Sequence, residues 1–212
     1  GSTLVFQVRG DTTVARHTLE AAAKSGAFRL EPATDESFTQ KQLKDIKDII
    51  WSKREKLTDE YLKSNMAGCG ISDHHIYQTF VMNTPEARKA FREQIIDSPA
   101  VIFEGPTEKA PNNAIGVSDT LGILLQSDYP VFSTQSKQAT FVLVNHSKVT
   151  LQSGAYYFLT YKDERGVWRD LPIHDSFIAI GYIIEPGRTR HLSGSLYPEI
   201  HHNKPGRYRF FY

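Results

Sequence analysis

The last third of the chain decides the fold class, because strand-like runs alternate there with short breaks. Residues 139–172 read ATFVLVNHSKVTLQSGAYYFLTYKDERGVWRDLP, residues 176–189 read SFIAIGYIIEPGRT, and residues 204–212 read KPGRYRFFY. β-Branched and aromatic residues fill the runs, whereas Gly, Pro and Asp fill the breaks. Six or seven such runs within roughly a hundred residues are typical of a β-sandwich.

We predict strands in this half over residues 117–126, 139–145, 156–161, 177–184, 190–196 and 207–212. Trp168, which Leu171 and Pro172 follow, is predicted to fill the core between the two sheets. In the last strand, Tyr208 and Phe210 are predicted to point inward, with Arg207 and Arg209 pointing outward. Consecutive rings such as Tyr156-Tyr157 and Phe210-Phe211-Tyr212 cannot all face inward, so some line a ligand-binding face or an interdomain contact; both alternatives are open.

A set of short motifs recurs along residues 113–212: Asn145, Tyr157, Trp168-Arg-Asp-Leu-Pro, Tyr182, Glu185-Pro-Gly and Lys204-Pro-Gly-Arg-Tyr-Arg. This range resembles the bacterial immunoglobulin-like domains of exported proteins. The resemblance implies an immunoglobulin-like sandwich in a periplasmic, cell-surface or secreted protein, and a module that has no catalytic residues. The paired cysteines of antibody domains are absent from the sequence.

The alternation of helix-like and strand-like segments in the first half predicts an α+β domain with helices on a small sheet. Strands are expected at residues 3–8 and 28–32, with a helix capped by Thr12 or Thr13 between them, although a loosely attached leader is the alternative for residues 3–34. One long helix is expected within residues 39–64, where apolar residues recur at helical spacing: Leu43, Ile46, Ile50, Leu57 and Tyr61.

The glycines at 68 and 70 are expected to form the turn that ends this helix. We then predict a strand at residues 71–82, a helix that begins at Pro85 after a cap at Asn83 or Thr84, and a strand at residues 100–103. This order of elements predicts a split unit of the ferredoxin-like kind. Residues 105–113 are polar and rich in breakers. We therefore predict an α+β domain at residues 1–105, a linker at 106–112 and the sandwich at 113–212.

The order of elements in the first half carries a second resemblance. A long helix, a glycine break, an alternating strand, a capped helix with Phe91-Arg-Glu and the run Asp97-Ser-Pro-Ala-Val-Ile-Phe follow one another. This pattern is similar to prodomain-like regions of some secreted bacterial peptidases. The resemblance implies a chaperone-like or inhibitor-like binding domain.

Composition excludes several classes of protein. The 212 residues carry 25 Lys and Arg against 24 Asp and Glu, a net charge of +1 that argues against nucleic-acid binding. A single cysteine excludes an internal disulfide and a cysteine-built zinc site. No apolar run approaches the roughly 18 residues of a membrane span. The opening Gly1-Ser2 is typical of a tag-removal remnant, and we expect a further segment upstream.

The C-terminal segment is locally basic, with five cations against Glu199 alone: Arg188, Arg190, Lys204, Arg207 and Arg209. An anion-facing patch and a solvated strand face are both consistent with this excess, and the solvated face is the more common cause.

Few residues suggest chemistry. His74-His75 and His201-His202 contain the side chain that zinc prefers, but neighbours on a strand point to opposite faces. Asp73-His74 resembles a fragment of a catalytic dyad, but neighbours in sequence seldom have the required geometry, and surface turn residues are the more common alternative. Cys69 is either a nucleophile that His74 or His75 activates or a small buried hydrophobe. The Ser-hydrolase elbow, the phosphate loop, the dinucleotide fingerprint and the metallopeptidase motif are absent.

We therefore predict that the chain is not an enzyme and has no catalytic, cofactor-binding or metal-binding residue. The predicted function is non-catalytic binding or scaffolding at the bacterial cell envelope or outside the cell, with a protein or a cell-surface polysaccharide as partner. A regulatory or inhibitor-like domain that acts on a secreted peptidase is the alternative. A hydrolase that uses Cys69 or the histidines is a third hypothesis.

Overall fold

The computed structural model describes residues 3–33, 38–117, 119–174 and 180–212. The chain begins with two parallel strands, β1 (Leu4–Val8) and β2 (Phe28–Pro32), joined by helix α1 (Thr12–Ala23). Residues 3–33 are therefore ordered, as in the first of the two alternatives. The predicted cap of α1 is wrong, because the Asp11 carboxylate accepts the Thr13 N–H at 2.7 Å.

The single helix predicted within residues 39–64 is wrong, because two helices occupy this range: α2 (Gln40–Glu55) and α3 (Glu60–Asn65). Thr39 and Gln42 form a reciprocal capping box at the start of α2. Asp59 then accepts the Leu62 N–H at 3.0 Å and caps α3. A side chain that binds backbone N–H groups in this way starts a new helix, which apolar periodicity alone does not reveal.

A β-hairpin replaces the turn and the single strand predicted next. Strand β3 (Met66–Ser72) contains the two glycines and pairs antiparallel with β4 (His75–Phe80). Asp73 and His74 form the connection, and both adopt positive φ angles, 45° and 64°. Hairpin turns require this left-handed backbone, and Asp and His are among the non-glycine residues that tolerate it.

Helix α4 (Pro85–Gln94) begins with Thr84 as its cap, which was one of the two predicted caps. Strand β5 (Val101–Glu104) lies parallel and directly adjacent to β4. The sheet order β3-β4-β5 is therefore a simple β–α–β crossover, and the predicted split unit is wrong. One face of β4 turns toward the helices, where Phe80, Phe91 and Phe103 meet at centroid distances of 5.3 to 6.0 Å.

In its described residues the second half is all-β except for one short helix, and its fold class is confirmed. The elements are β6 (Asp119–Thr120), β7 (Ile123–Ser127), β8 (Gln138–Asn145), β9 (Leu151–Ser153), β10 (Phe158–Lys162), β11 (Trp168–Leu171), β12 (Tyr182–Ile184), β13 (Thr189–Ser195), helix α5 (Pro198–His201) and β14 (Tyr208–Phe211).

The strands form sheets in the orders β13-β8-β7-β6, β11-β10-β14 and β12-β9. Their sandwich core is a cluster of Leu143, Ile184 and Leu192, against which Phe141 and Phe210 pack. Strands β9 and β11 and helix α5 were not predicted, and residues 177–179 of the predicted fourth strand lie outside the described residues.

The predicted position of Trp168 is wrong. Strand register pairs Leu171 with Leu159 and Trp168 with Lys162, so Leu171 faces the core and Trp168 lies on the opposite, outer face. The indole is half-buried there, and the Arg209 guanidinium lies 3.6 Å from its ring centroid. In the last strand, Phe210 points inward as predicted, whereas Tyr208 keeps 38% of its surface exposed.

Residues 110–116, here called the cover segment, pair with the edge of β11 at Pro111 and then pass over this outer face, where Gly116 lies next to the Phe211 ring. The Asn112 N–H donates to the Trp168 carbonyl at 2.9 Å, and the Asp170 N–H donates to the Ala110 carbonyl at 2.8 Å. Farther along, the Ala114 carbonyl accepts from Arg209 at 3.3 Å. The outer-face side chain of Thr160 is only 1% exposed.

The two halves are in direct contact through helix α5. Ile200 and Tyr197 of the second half pack against Ala67, Val81 and Met82 of the first. The predicted boundaries at residues 105 and 113 stay a prediction, but the residues between them contact the sandwich.

Candidate binding cleft

A cleft of about 520 Å³ opens at the end of the sandwich beside α5. Its walls come from the inner face of the β11-β10-β14 sheet, from the residues on both sides of α5 and β14, and from Lys109. The side chains that matter for its chemistry are Lys109, Tyr161, Asp163, Arg169, His201, Lys204 and Tyr208.

Lys109 is the central cation of the cleft. Its Nζ donates to the His201 carbonyl oxygen at 3.0 Å and lies 5.3 Å from the centroid of the Tyr161 ring. Burial, with a further contribution from the charge of Lys204, lowers the pKa of the Lys109 amine. Lys109 forms no ion pair with any carboxylate in the described part of the chain. Among the described residues, its positive charge therefore has a carbonyl and an aromatic face as its only partners.

Both carboxylates that line the cleft already have partners. Asp163 Oδ2 accepts from Arg169 Nε at 2.6 Å, and this hydrogen bond is the main cause of the lowered pKa of Asp163. Glu164 forms an ion pair with Lys204 at 2.9 Å. Two carboxylates thus neutralise two of the five Lys and Arg residues in the lining: Lys109, Lys162, Arg165, Arg169 and Lys204.

His201 forms part of the wall in a neutral state. Its Nε2 lies 2.6 Å from the Pro172 carbonyl oxygen, a contact in which the ring nitrogen donates. Burial first, and the charge of Lys109 second, lower the pKa of His201 to about 3. The other ring nitrogen, Nδ1, is buried and has no hydrogen-bond partner among the described residues. His201 therefore adds no positive charge to the cleft near neutral pH.

The sequence-derived nucleophile candidate lies elsewhere. Cys69 is half-buried on β3 and packs against the core of the first half, and burial raises the pKa of its thiol. Strand register pairs Cys69 with Gln78 but Ser72 with His75. Cys69 and His75, the candidate nucleophile and its candidate base, are therefore three positions apart along the hairpin, about 10 Å. Their side chains point to opposite faces of the sheet.

The histidine pairs do not form a metal site in the described part of the chain, where no group of three or more potential ligands comes together. His74 belongs to the hairpin turn, and His75 Nδ1 lies 3.0 Å from the Asp73 carbonyl oxygen. His201 and His202 lie at the cleft instead.

Sequence reasoning missed the main groups of the cleft. Lys109 stands in the predicted linker, where a lone lysine carries no signal, and Tyr161 and Arg169 are inconspicuous strand residues. The basic excess after Arg188 was a partial signal, because Lys204 lines the cleft. Two other members of that set stack on rings, Arg190 on Tyr182 and Arg209 on Trp168.

Among the helices within the described ranges, none has the length and apolarity needed to cross a membrane.

Comparison with known families gives two matches that do not overlap. The model of a bacterial Ig-like domain matches residues 119–212, and the model of a Pro-like C-terminal domain matches residues 41–106. No curated protein and no solved structure matches the chain. Lys109 lies between the two matched ranges. Both predicted resemblances are confirmed, and the chain combines a region similar to the Pro-like C-terminal domain family with a region similar to the bacterial Ig-like domain family.

Proposed function

We propose that this chain is a non-catalytic binding module of an exported bacterial protein, and that its cleft binds a carboxylate of an acidic partner protein. The observation that carries this proposal is Lys109, a half-buried ammonium group that has no carboxylate counter-ion among the described residues. A partner carboxylate would supply the missing opposite charge.

The walls of the cleft favour such a ligand. An ion pair in a concave, partly water-excluded site is stronger than the same pair on an open surface, because the surrounding dielectric constant is lower. The Tyr161 and Tyr208 rings add apolar contact area beside the charge. A few polar groups among aromatic walls are typical of binding pockets.

Two side chains support the non-catalytic part of the proposal. The raised pKa of Cys69 keeps its sulfur protonated near neutral pH, and the thiol is a weak nucleophile. The pKa of His201, about 3, is far from the value that suits a general acid or base at neutral pH. Export is supported by the Ig-like match, because such domains are typical of exported proteins.

The test uses the whole chain and a fluorescein-labelled hexaglutamate peptide in an anisotropy titration. Lys109→Gln is expected to weaken binding roughly tenfold, while the matched variant Lys148→Gln, at an exposed loop, binds as the parent does. A hexalysine peptide should not bind. Equal affinity of Lys109→Gln and the parent would overturn the proposal, and tighter binding of an acidic polysaccharide such as polygalacturonate would reassign the partner class.

A second function is favoured by one observation, the match of residues 41–106 to the Pro-like C-terminal domain family. The hypothesis is that the first half regulates or inhibits a secreted peptidase. The test adds the whole chain, at rising concentration, to a panel of secreted bacterial peptidases and measures the rate of peptide hydrolysis. A concentration-dependent change in rate supports the hypothesis, and unchanged rates across the panel count against it.

A further inference from the structure

A second concavity, of about 280 Å³, lies on the other side of the segment that leads into β14. We call it the edge groove: the loop of residues 128–134 forms one wall, and β14 forms the other. Phe141 and Leu159 line it from the sandwich interior. The rings of Tyr129, Phe132, Phe141 and Phe210 follow one another at centroid distances of 5.8, 6.4 and 4.0 Å. The groove is therefore predominantly apolar and aromatic.

The wall that β14 supplies is an unpaired sheet edge. Among the described strands, β14 pairs with β10 alone, and the Lys162 N–H donates to the Arg207 carbonyl at 2.9 Å. Because hydrogen-bonding groups alternate in an antiparallel pair, Arg207 and Arg209 direct their backbone groups to β10, whereas Tyr208 and Phe210 direct theirs outward. No residue within the described ranges hydrogen-bonds to these outward backbone groups.

Charge and exposure at the groove indicate what fits it. Lys204 pairs with Glu164, and the Arg209 guanidinium stacks on Trp168. The cation that remains at this edge is Arg207, which is exposed on the outer face of β14 and forms no ion pair within the described residues. On the opposite wall, Val131 is 80% exposed and Tyr129 is 61% exposed. An occupant that is apolar at some positions and acidic at others would bury these side chains and match the charge of Arg207.

We propose that β14 accepts an extended acidic segment of a partner polypeptide as an additional strand. Its backbone pairs with the outward groups of Tyr208 and Phe210, and its alternate apolar side chains enter the groove. Its acidic side chains, on the other face of the added strand, approach Arg207. Edge-strand addition of this kind draws affinity from backbone hydrogen bonds and specificity from pockets for alternate side chains.

A second copy of the chain fits the same edge less well. Pairing two β14 strands across a two-fold axis would bring Arg207 and Arg209 of one copy next to the same residues of the other. Like charges on adjacent strands destabilise the pair. The inference concerns a different surface from the cleft and holds whether or not Lys109 binds a carboxylate.

The experiment uses the whole chain and a labelled heptapeptide of sequence Glu-Val-Thr-Val-Glu-Val-Glu. Saturable binding is expected, with hydrogen exchange at the Tyr208 and Phe210 amides slowed by roughly tenfold or more. The amides of Arg207 and Arg209, which already face β10, should change little. N-methylation of the peptide amides that face β14 should abolish binding, whereas N-methylation of the alternate amides should leave it intact.

Two valine variants locate the site. Val131→Glu places a negative charge on the groove wall and is expected to weaken binding roughly tenfold. Val149→Glu, at another exposed loop valine, should bind the heptapeptide as the parent does. Both variants are compared in a Lys109→Gln background, so that the cleft does not contribute to the binding that is measured. The proposal is overturned if the peptide does not bind, if the two methylated peptides bind equally, or if the exchange of Tyr208 and Phe210 is unchanged at saturation.

Discussion

The two halves of the molecule bury their apolar side chains to very different degrees. In the first half, Leu43, Leu62, Ile76 and Phe91 are completely buried between the helices and the three-stranded sheet. The main cluster of the sandwich is shallower: its three members expose 3 to 9% of their surface, whereas ten of the eleven members of the first-half cluster expose at most 2%. Both concave surfaces, the cleft and the edge groove, open around the sandwich. Dense packing thus stabilises one half, while the other presents half-buried rings and cations to solvent.

The largest effect is expected at Phe91, at the centre of the denser core. Phe91→Ala removes a fully buried ring that meets Phe80 and Phe103 edge to face, and should lower the free energy of unfolding by about 3 to 5 kcal/mol. Urea denaturation measures this change. A loss below about 1 kcal/mol would contradict the closed packing described for the first half.

The matching truncation in the sandwich should cost less. Leu192→Ala is expected to lower the free energy of unfolding by about 2 to 3 kcal/mol, because the neighbouring rings beside the groove can relax into the space. The chain has one tryptophan in each half, Trp51 and Trp168, so a Trp51→Phe background reports on the sandwich by fluorescence. A loss as large as that of Phe91→Ala would remove the contrast between the two cores.

His201 should make the stability of the sandwich depend on pH. An unfolded histidine binds its proton near pH 6.5 and the folded His201 only near 3, so the unfolded chain binds more protons between these values. The free energy of unfolding therefore falls as the pH drops below 6.5, by roughly 2 kcal/mol at pH 5. Lys109 and His202 are the charged or titratable neighbours that act against protonation.

Denaturation at pH 7 and pH 5 measures this contribution, with His201→Gln as the comparison because its side-chain amide retains an N–H donor for Pro172. The pH-dependent loss should be smaller in His201→Gln by the same amount. Parallel pH profiles for the parent and the variant would show that His201 titrates normally in the folded protein.

The smallest effect is expected at Trp168. Because the indole is half-buried on the outer face, Trp168→Ala should cost about 1 kcal/mol, mainly from the lost stacking with Arg209. A core tryptophan would cost about 3 to 5 kcal/mol. Arg209→Ala provides the control, because it removes the same contact from the other side and should give a similar loss.

Periodicity predicted those parts of the fold in which one face of an element is buried. The helical stripe from Leu43 to Tyr61 and the alternation in β8 and β14 were sufficient for the class of each half. Single polar residues determined what periodicity missed: Asp59 caps a new helix, and Asp73 with His74 makes a turn. Trp168 was misplaced because its position depends on the register of β10 with β11, which is a long-range property.

The cleft was not predictable in the same sense. Lys109, Tyr161 and His201 come together from segments that are far apart in sequence, and neither matched family range contains Lys109. What the sequence did contain was the basic excess near the C terminus. Of the cations in that basic segment, Lys204 lies at the cleft, as an anion-facing patch would require. Arg190 and Arg209 contact aromatic rings instead.

The cover segment has a practical consequence for anyone who dissects this chain. A fragment that begins at Asp119, where the Ig-like match begins, would lack the Asn112 and Ala114 contacts with β11 and Arg209. Thr160 and the Phe211 ring, which lies next to Gly116 of this segment, would then face water, and the exposed apolar surface would favour association between fragments. A fragment that begins at Asp119 should therefore self-associate. A fragment that starts before Lys109 keeps both the cover segment and the Lys109 amine of the cleft.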